Sequence, residues 1–176
     1  PLDIEDSAAL REYLVAAGRV GRDEPISIRN LAGGVSNRTV LVERASGEAW
    51  VLKQALAKLR VAVDWFCDPA RVRREALGLR WLEKLAPPGT ITPLIFEDHE
   101  HHLIAMAAVP QPHENFKDLL LSGKVDGTPL REYALQFGRL LGTIHQRAFL
   151  RSGELSAVFA DRSFFESLRI EPYYTY

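Results

Sequence analysis

Cysteine is nearly missing from this chain. Cys67 is the single one, and one thiol cannot close an intrachain disulfide, so burial and hydrogen bonding have to hold the fold. An excess of either charge is missing too. The 22 Lys+Arg and 23 Asp+Glu leave a formal net charge of −1, which gives no bulk positive field to gather nucleic acid or anionic lipid; neither is an expected partner. No apolar run approaches the ~20 residues of a membrane-spanning helix, because charge or proline interrupts each one. The start carries no basic-then-apolar leader pattern, so the expected compartment is cytoplasmic. Internal repeats and low-complexity tracts are also absent, which excludes a solenoid or a flexible spacer. What is present is an ordinary globular composition, 47% hydrophobic and 26% charged over 176 residues, enough for one domain or slightly more.

The pattern of apolar residues changes along the chain. Ile4, Ala8, Leu10, Leu14 and Val15 have helical spacing and stop at Gly18 and Gly21, which predicts a helix over about 5–18. From Ile26 to Gln54 the residues become Ile, Val, Leu, Thr and Trp in short runs, split by Gly33-Gly34 and by Ser46-Gly47-Glu48; three consecutive antiparallel strands fit. Helical spacing returns at Val72, Ala76, Leu79, Leu82 and Leu85, with Asp68-Pro69 as cap and first position and Pro87-Pro88-Gly89 as the stop. The runs 93–96 and 103–106, on either side of the polar segment 98–102, predict a hairpin that completes the sheet. The expected fold is α+β: a five-stranded antiparallel sheet with a helix packed on it. After a Pro-stiffened connector at 107–112, a mainly helical remainder follows, with Leu130, Ala134, Phe137, Leu140, Leu141 and Ile144 as the buried stripe of a long helix.

Three features carry candidate chemistry. Leu31-Ala32-Gly33-Gly34-Val35-Ser36-Asn37 lies between two predicted strands, where paired glycines let backbone amides turn toward an anion; a plain hairpin turn uses the same residues. No Lys follows it and a strand comes next, which excludes a Walker loop. Lys53 closes the run Ala49–Gln54, and strand alternation puts it on one face with Val51, opposite Trp50, Leu52 and Gln54. An edge-strand lysine reaching for water would look the same. Glu75 stands three after Val72 and four before Leu79, on or beside the core-facing stripe of its helix, where an unpaired carboxylate costs several kcal/mol. A cation from the sheet relieves that cost, and Lys53 is the candidate.

With these residues in this order, the chain resembles the small-molecule phosphotransferases of protein-kinase-like fold, the group of aminoglycoside phosphotransferases, choline kinases and methylthioribose kinases. The resemblance covers about residue 26 to the end and rests on 31–37, on Trp50-Val51-Leu52-Lys53-Gln54, on Arg73-Arg74-Glu75-Ala76-Leu77 and on Phe137–His145. The Gly-Gly-X-Ser-Asn turn and the segment Leu168–Tyr173 look most like the methylthioribose kinase branch. The resemblance implies a nucleotide-gripping lobe at 1–106, a hinge at 107–112 and an incomplete helical lobe at 113–176. It implies that Gly33, Gly34, Val35, Ser36 and Asn37 cover the phosphates of ATP, that Lys53 contacts the α- and β-phosphates, and that Glu75 orients Lys53. Val51 would roof the adenine, with Met106, Ala107 and Val109 as the hinge that hydrogen-bonds it. The implied reaction is γ-phosphoryl transfer from ATP, with Mg²⁺, to a hydroxyl of a small polar molecule.

One departure from that family is large. Its members use a His-X-Asp loop and a later Mg²⁺-binding Asp, and none of the five histidines here has Asp two residues on. His145 matches a structural helix position instead. The expectation is therefore the N-terminal part of a longer kinase, inactive alone, with the base and metal ligands outside this sequence and an exposed lobe surface prone to self-association. A non-catalytic nucleotide-binding or interaction module is the alternative, and an unrelated α+β protein with a Gly-Gly hairpin is a third reading. The 98–102 segment has zinc-type ligands but is read as a hairpin tip, with no metal assigned. Arg71, Arg73, Arg74 and Arg80 are read as a solvated helix face, and Trp65 and Phe66 as packing residues.

Overall fold

A computed structural model describes residues 2–32 and 34–174. The first helix, α1 (Ser7–Ala16), begins where the Asp6 carboxylate accepts hydrogen bonds from the Ala8 and Ala9 amides and ends before Gly18, whose φ of 65° suits a residue without a side chain. Three strands follow, β1 (Ile26–Asn30), β2 (Asn37–Arg44) and β3 (Ala49–Ala55). A 3-10 turn at Pro69–Arg71, capped by Asp68 with Pro69 in its first position, leads into α2 (Val72–Leu85). The hairpin β4 (Leu94–Asp98) and β5 (Leu103–Ala107) completes a five-stranded sheet, all antiparallel, in the order β1-β2-β3-β5-β4.

Strand alternation sorts the side chains of β3 as expected: Trp50, Leu52 and Gln54 are buried, and Val51 and Lys53 partly exposed. Both faces of the sheet carry a helix. Val72 and Ala76 of α2 pack with Ala55 and Ile104 on the Lys53 face. On the other face α1 adds Leu10 and Leu14, with Ile4 just before it, to Val40, Val42, Leu52 and Leu103, all fully buried. Burying each such Leu or Ile contributes about 2 kcal/mol. Gln54 is the polar residue in this second core. Its amide donates to the carbonyls of Leu2 and His101 and accepts from the Ile4 amide, which ties the segment before α1 to the sheet without an unsatisfied group.

The chain divides into two compact units: Pro1–Arg80 with Pro93–Ala108 and Asp161–Tyr176, and Trp81–Thr92 with Val109–Ala160. The second holds α3 (Phe116–Leu121), α4 (Gly127–Leu150) and α5 (Ser152–Val158), together with the end of α2. Its buried residues are Trp81, Leu85 and Ala86. Lys84 and Arg151 each stand 4.9 Å from the centre of the Trp81 ring, and Arg147 donates to the Leu85 and Ala86 carbonyls, which the end of α2 leaves without helical partners. The expected stripe of α4 does lie on a helix, but no residue of α4 is buried, and Phe137 is 53% exposed. Spacing reports which face of a helix is apolar; burying that face takes a second layer. Phe66 corrects a second expectation, being 68% exposed with its ring against the Lys58 ammonium.

In the first unit the chain after Ala160 forms α6 (Ser163–Phe165), a π-helical turn at Glu166–Ile170 and α7 (Glu171–Tyr174). Among the described residues no helix is long and apolar enough to cross a membrane.

Candidate functional site

Lys53 sits on the central strand of the sheet, with Thr39 of β2 and Ile104 of β5 as its cross-strand neighbours. It is therefore not an edge lysine. Both neighbours point to the same face, so the ammonium rises from a floor of side chains toward α2. There its Nζ meets Oε1 of Glu75 at 2.6 Å, with the two side chains 31% and 35% exposed. Glu75 occupies the margin of the α2 stripe, one position before the fully buried Ala76. A half-wet ion pair in this position is worth little to stability, which leaves the amine available to a stronger anion.

The Gly-rich turn joins β1 to β2, and the Leu31 amide donates to the Thr39 carbonyl across its base. Gly33 lies outside the described residues. At Gly34 a Cβ would stand 3.1 Å from the Asn37 carbonyl oxygen, tighter than ordinary contact, so the turn is built around a missing side chain. The amides of Gly34, Val35 and Ser36 have no acceptor among the described residues, which is what an anion-binding turn offers. Asn37 starts β2 opposite Ala55. Val51 and Met106 are cross-strand partners on the Lys53 face; the Ala107 amide donates to the Pro93 carbonyl, and the half-exposed Val109 begins the Val109–Ala160 stretch of the second unit. His145 is exposed on α4.

Arg71 corrects the reading of a solvated arginine face. It is buried, and its guanidinium donates to the carbonyls of Ser36 (2.5 Å), Leu56 (2.9 Å), Asp68 (3.2 Å) and Cys67 (3.3 Å). Its spacing of four before Glu75 was the signal available in the sequence, since it puts both on one helical face. Arg74 pairs with Asp161, whose carboxyl is held down to about 2 by hydrogen bonds from Ser163 and then from Arg74. Arg80 pairs with Glu97, and Arg73 faces solvent. A cavity of about 690 Å³ adjoins the turn, lined by Val35, Ser36, Asn37, Arg71 and Glu75 and, from the last segment, by Phe164 and Leu168.

The 98–102 segment is organised by Asp98. Its carboxylate accepts from the Tyr13 hydroxyl at 2.7 Å and lies 2.8 Å from Nδ1 of His101. Burial alone would raise this carboxyl, but the Tyr13 and His101 hydrogen bonds outweigh it and pull it down to about 2. His99 is directed to Glu97. Among the described residues no group of three or more His, Cys, Asp and Glu side chains could hold a metal ion. No protein-family model matches the chain, and no curated protein matches it.

Proposed function

We propose that this chain supplies the nucleotide grip of an ATP-dependent phosphotransferase of protein-kinase-like fold that acts on a hydroxyl of a small polar molecule. The observation that carries the reading is the 2.6 Å pair of Lys53, on the central strand, with Glu75 of the helix between the third and fourth strands. A compact ammonium held by a carboxylate, near a Gly-rich turn whose Gly34, Val35 and Ser36 amides have no acceptor among the described residues, suits the α- and β-phosphates of a nucleotide. Val51 and Met106 extend the same face with apolar surface for a purine. In the reaction, the bond from the γ-phosphorus to the β-bridging oxygen breaks and one to the acceptor oxygen forms; the hydroxyl proton passes to a base, and ADP leaves. Lys53 and the turn amides would orient the phosphates and spread the leaving group's charge. The described residues do not fit Mg²⁺, since Glu75 is engaged with Lys53 and no acidic cluster stands nearby.

Calorimetric titration with ATP tests the reading. The wild-type chain should bind ATP, and Lys53→Ala should weaken binding about tenfold or more while moving thermal stability little, as expected for a pair about one-third exposed. Absence of ATP binding by the wild type would sink the proposal. The lack of a His-X-Asp sequence favours a second reading, a nucleotide-binding module without turnover. Neither reading expects turnover from this chain alone, so coupled detection of ADP release over a panel of small polyols is read on the full-length gene product: turnover supports the enzyme, and nucleotide binding without turnover supports the module.

A further inference from the structure

We infer that Arg71 is a positioning residue for phosphate binding, holding the Gly-rich turn in register with the strand of Lys53 and the helix of Glu75; this rests on the nucleotide-grip reading above. One buried guanidinium joins the three parts. Nη2 grips the Ser36 carbonyl, the last residue of the turn before β2, and Nη1 grips the Leu56 carbonyl, three residues beyond Lys53. Arg71 itself sits one helical turn ahead of Glu75. The Ser36 carbonyl also accepts from the Leu56 amide, so it points from β2 toward β3.

Peptide planarity then sets the next donor. With the Ser36 carbonyl directed to β3 and Arg71, the Asn37 N–H of the same trans peptide points the opposite way, to the β1 side where the turn lies. The guanidinium thus orients one turn amide directly and limits the swing of those before it. Arginine suits the task because its planar fork serves several carbonyls at once, whereas a lysine ammonium at the end of a flexible stem satisfies them less well. Cys67 and Asp68, which accept the remaining bonds, anchor the base of the fork in the cap of the 3-10 turn.

Two variants test this, Arg71→Lys and Arg71→Met, the second filling similar volume without a buried charge. Each is titrated with ATP and with adenosine, and thermal unfolding is followed in parallel. Loss of ATP affinity by about tenfold or more, with adenosine affinity within about twofold of wild type, is the expected result, because only the phosphates meet the turn. Equal losses for both ligands, no loss for either, or failure of both variants to fold would each overturn the positioning role and leave Arg71 a structural residue. The wild-type controls isolate the underlying reading: if ATP binds no more tightly than adenosine, the phosphate grip itself fails, whatever the variants do.

Discussion

Leu52 and Phe137 are both large apolar residues on regular elements with suitable periodicity, yet Leu52 is fully buried and Phe137 is half-exposed. The difference lies in what surrounds each element. In the first unit the sheet receives α1 on one face and α2 on the other, so alternation along β3 converts directly into two cores. In the second unit α3, α4 and α5 have no buried residue, and burial is concentrated at Trp81, Leu85 and Ala86. An amphipathic pattern is therefore a statement about direction. It becomes a statement about energy where a facing layer removes the pattern from water.

Truncating one residue in each region measures that difference. Leu52→Ala leaves a hole between two packed layers and should cost about 3 kcal/mol in denaturant unfolding; a cost below about 1 kcal/mol would mean the sheet core is loosely packed. Acid titration comes next. The folded Asp98 carboxyl lies near 2, below its ordinary value of 3.8, so its contribution is complete above pH 3.8 and is lost as the pH falls through 2. After screening, this amounts to about 1 kcal/mol, and Asp98→Asn should flatten the stability profile over that interval. An unchanged slope would remove the Tyr13–Asp98–His101 cluster from the acid response. The smallest effect belongs to the second unit: Phe137→Ala should cost about 0.5 kcal/mol or less, since much of the ring is already wet. A loss as large as that of Leu52→Ala would erase the contrast between the two regions.

The site divides in a similar way. Lys53 and Glu75 were legible as partners because each answers to a local rule, period two in a strand and period 3.6 in a helix, and both rules place the charge on a facing side. Arg71 was not legible as the group that binds Ser36, Leu56, Cys67 and Asp68, because its partners are backbone carbonyls, and side-chain chemistry says nothing of where a carbonyl points. Arg74 escaped for another reason, its partner Asp161 being 87 residues away with no pattern linking them.

The positions of the five strands and of α1, α2 and α4, the stops at Gly18 and Pro87, and the alternation of β3 follow from the residues alone, since they depend on neighbours within a few positions. The strand order that makes β3 central, the second helix on the sheet's other face, the uncovered stripe of α4 and the grip of Arg71 on the turn came only with the folded chain. Each depends on which distant segments meet, and many arrangements of the same local elements satisfy the same pattern.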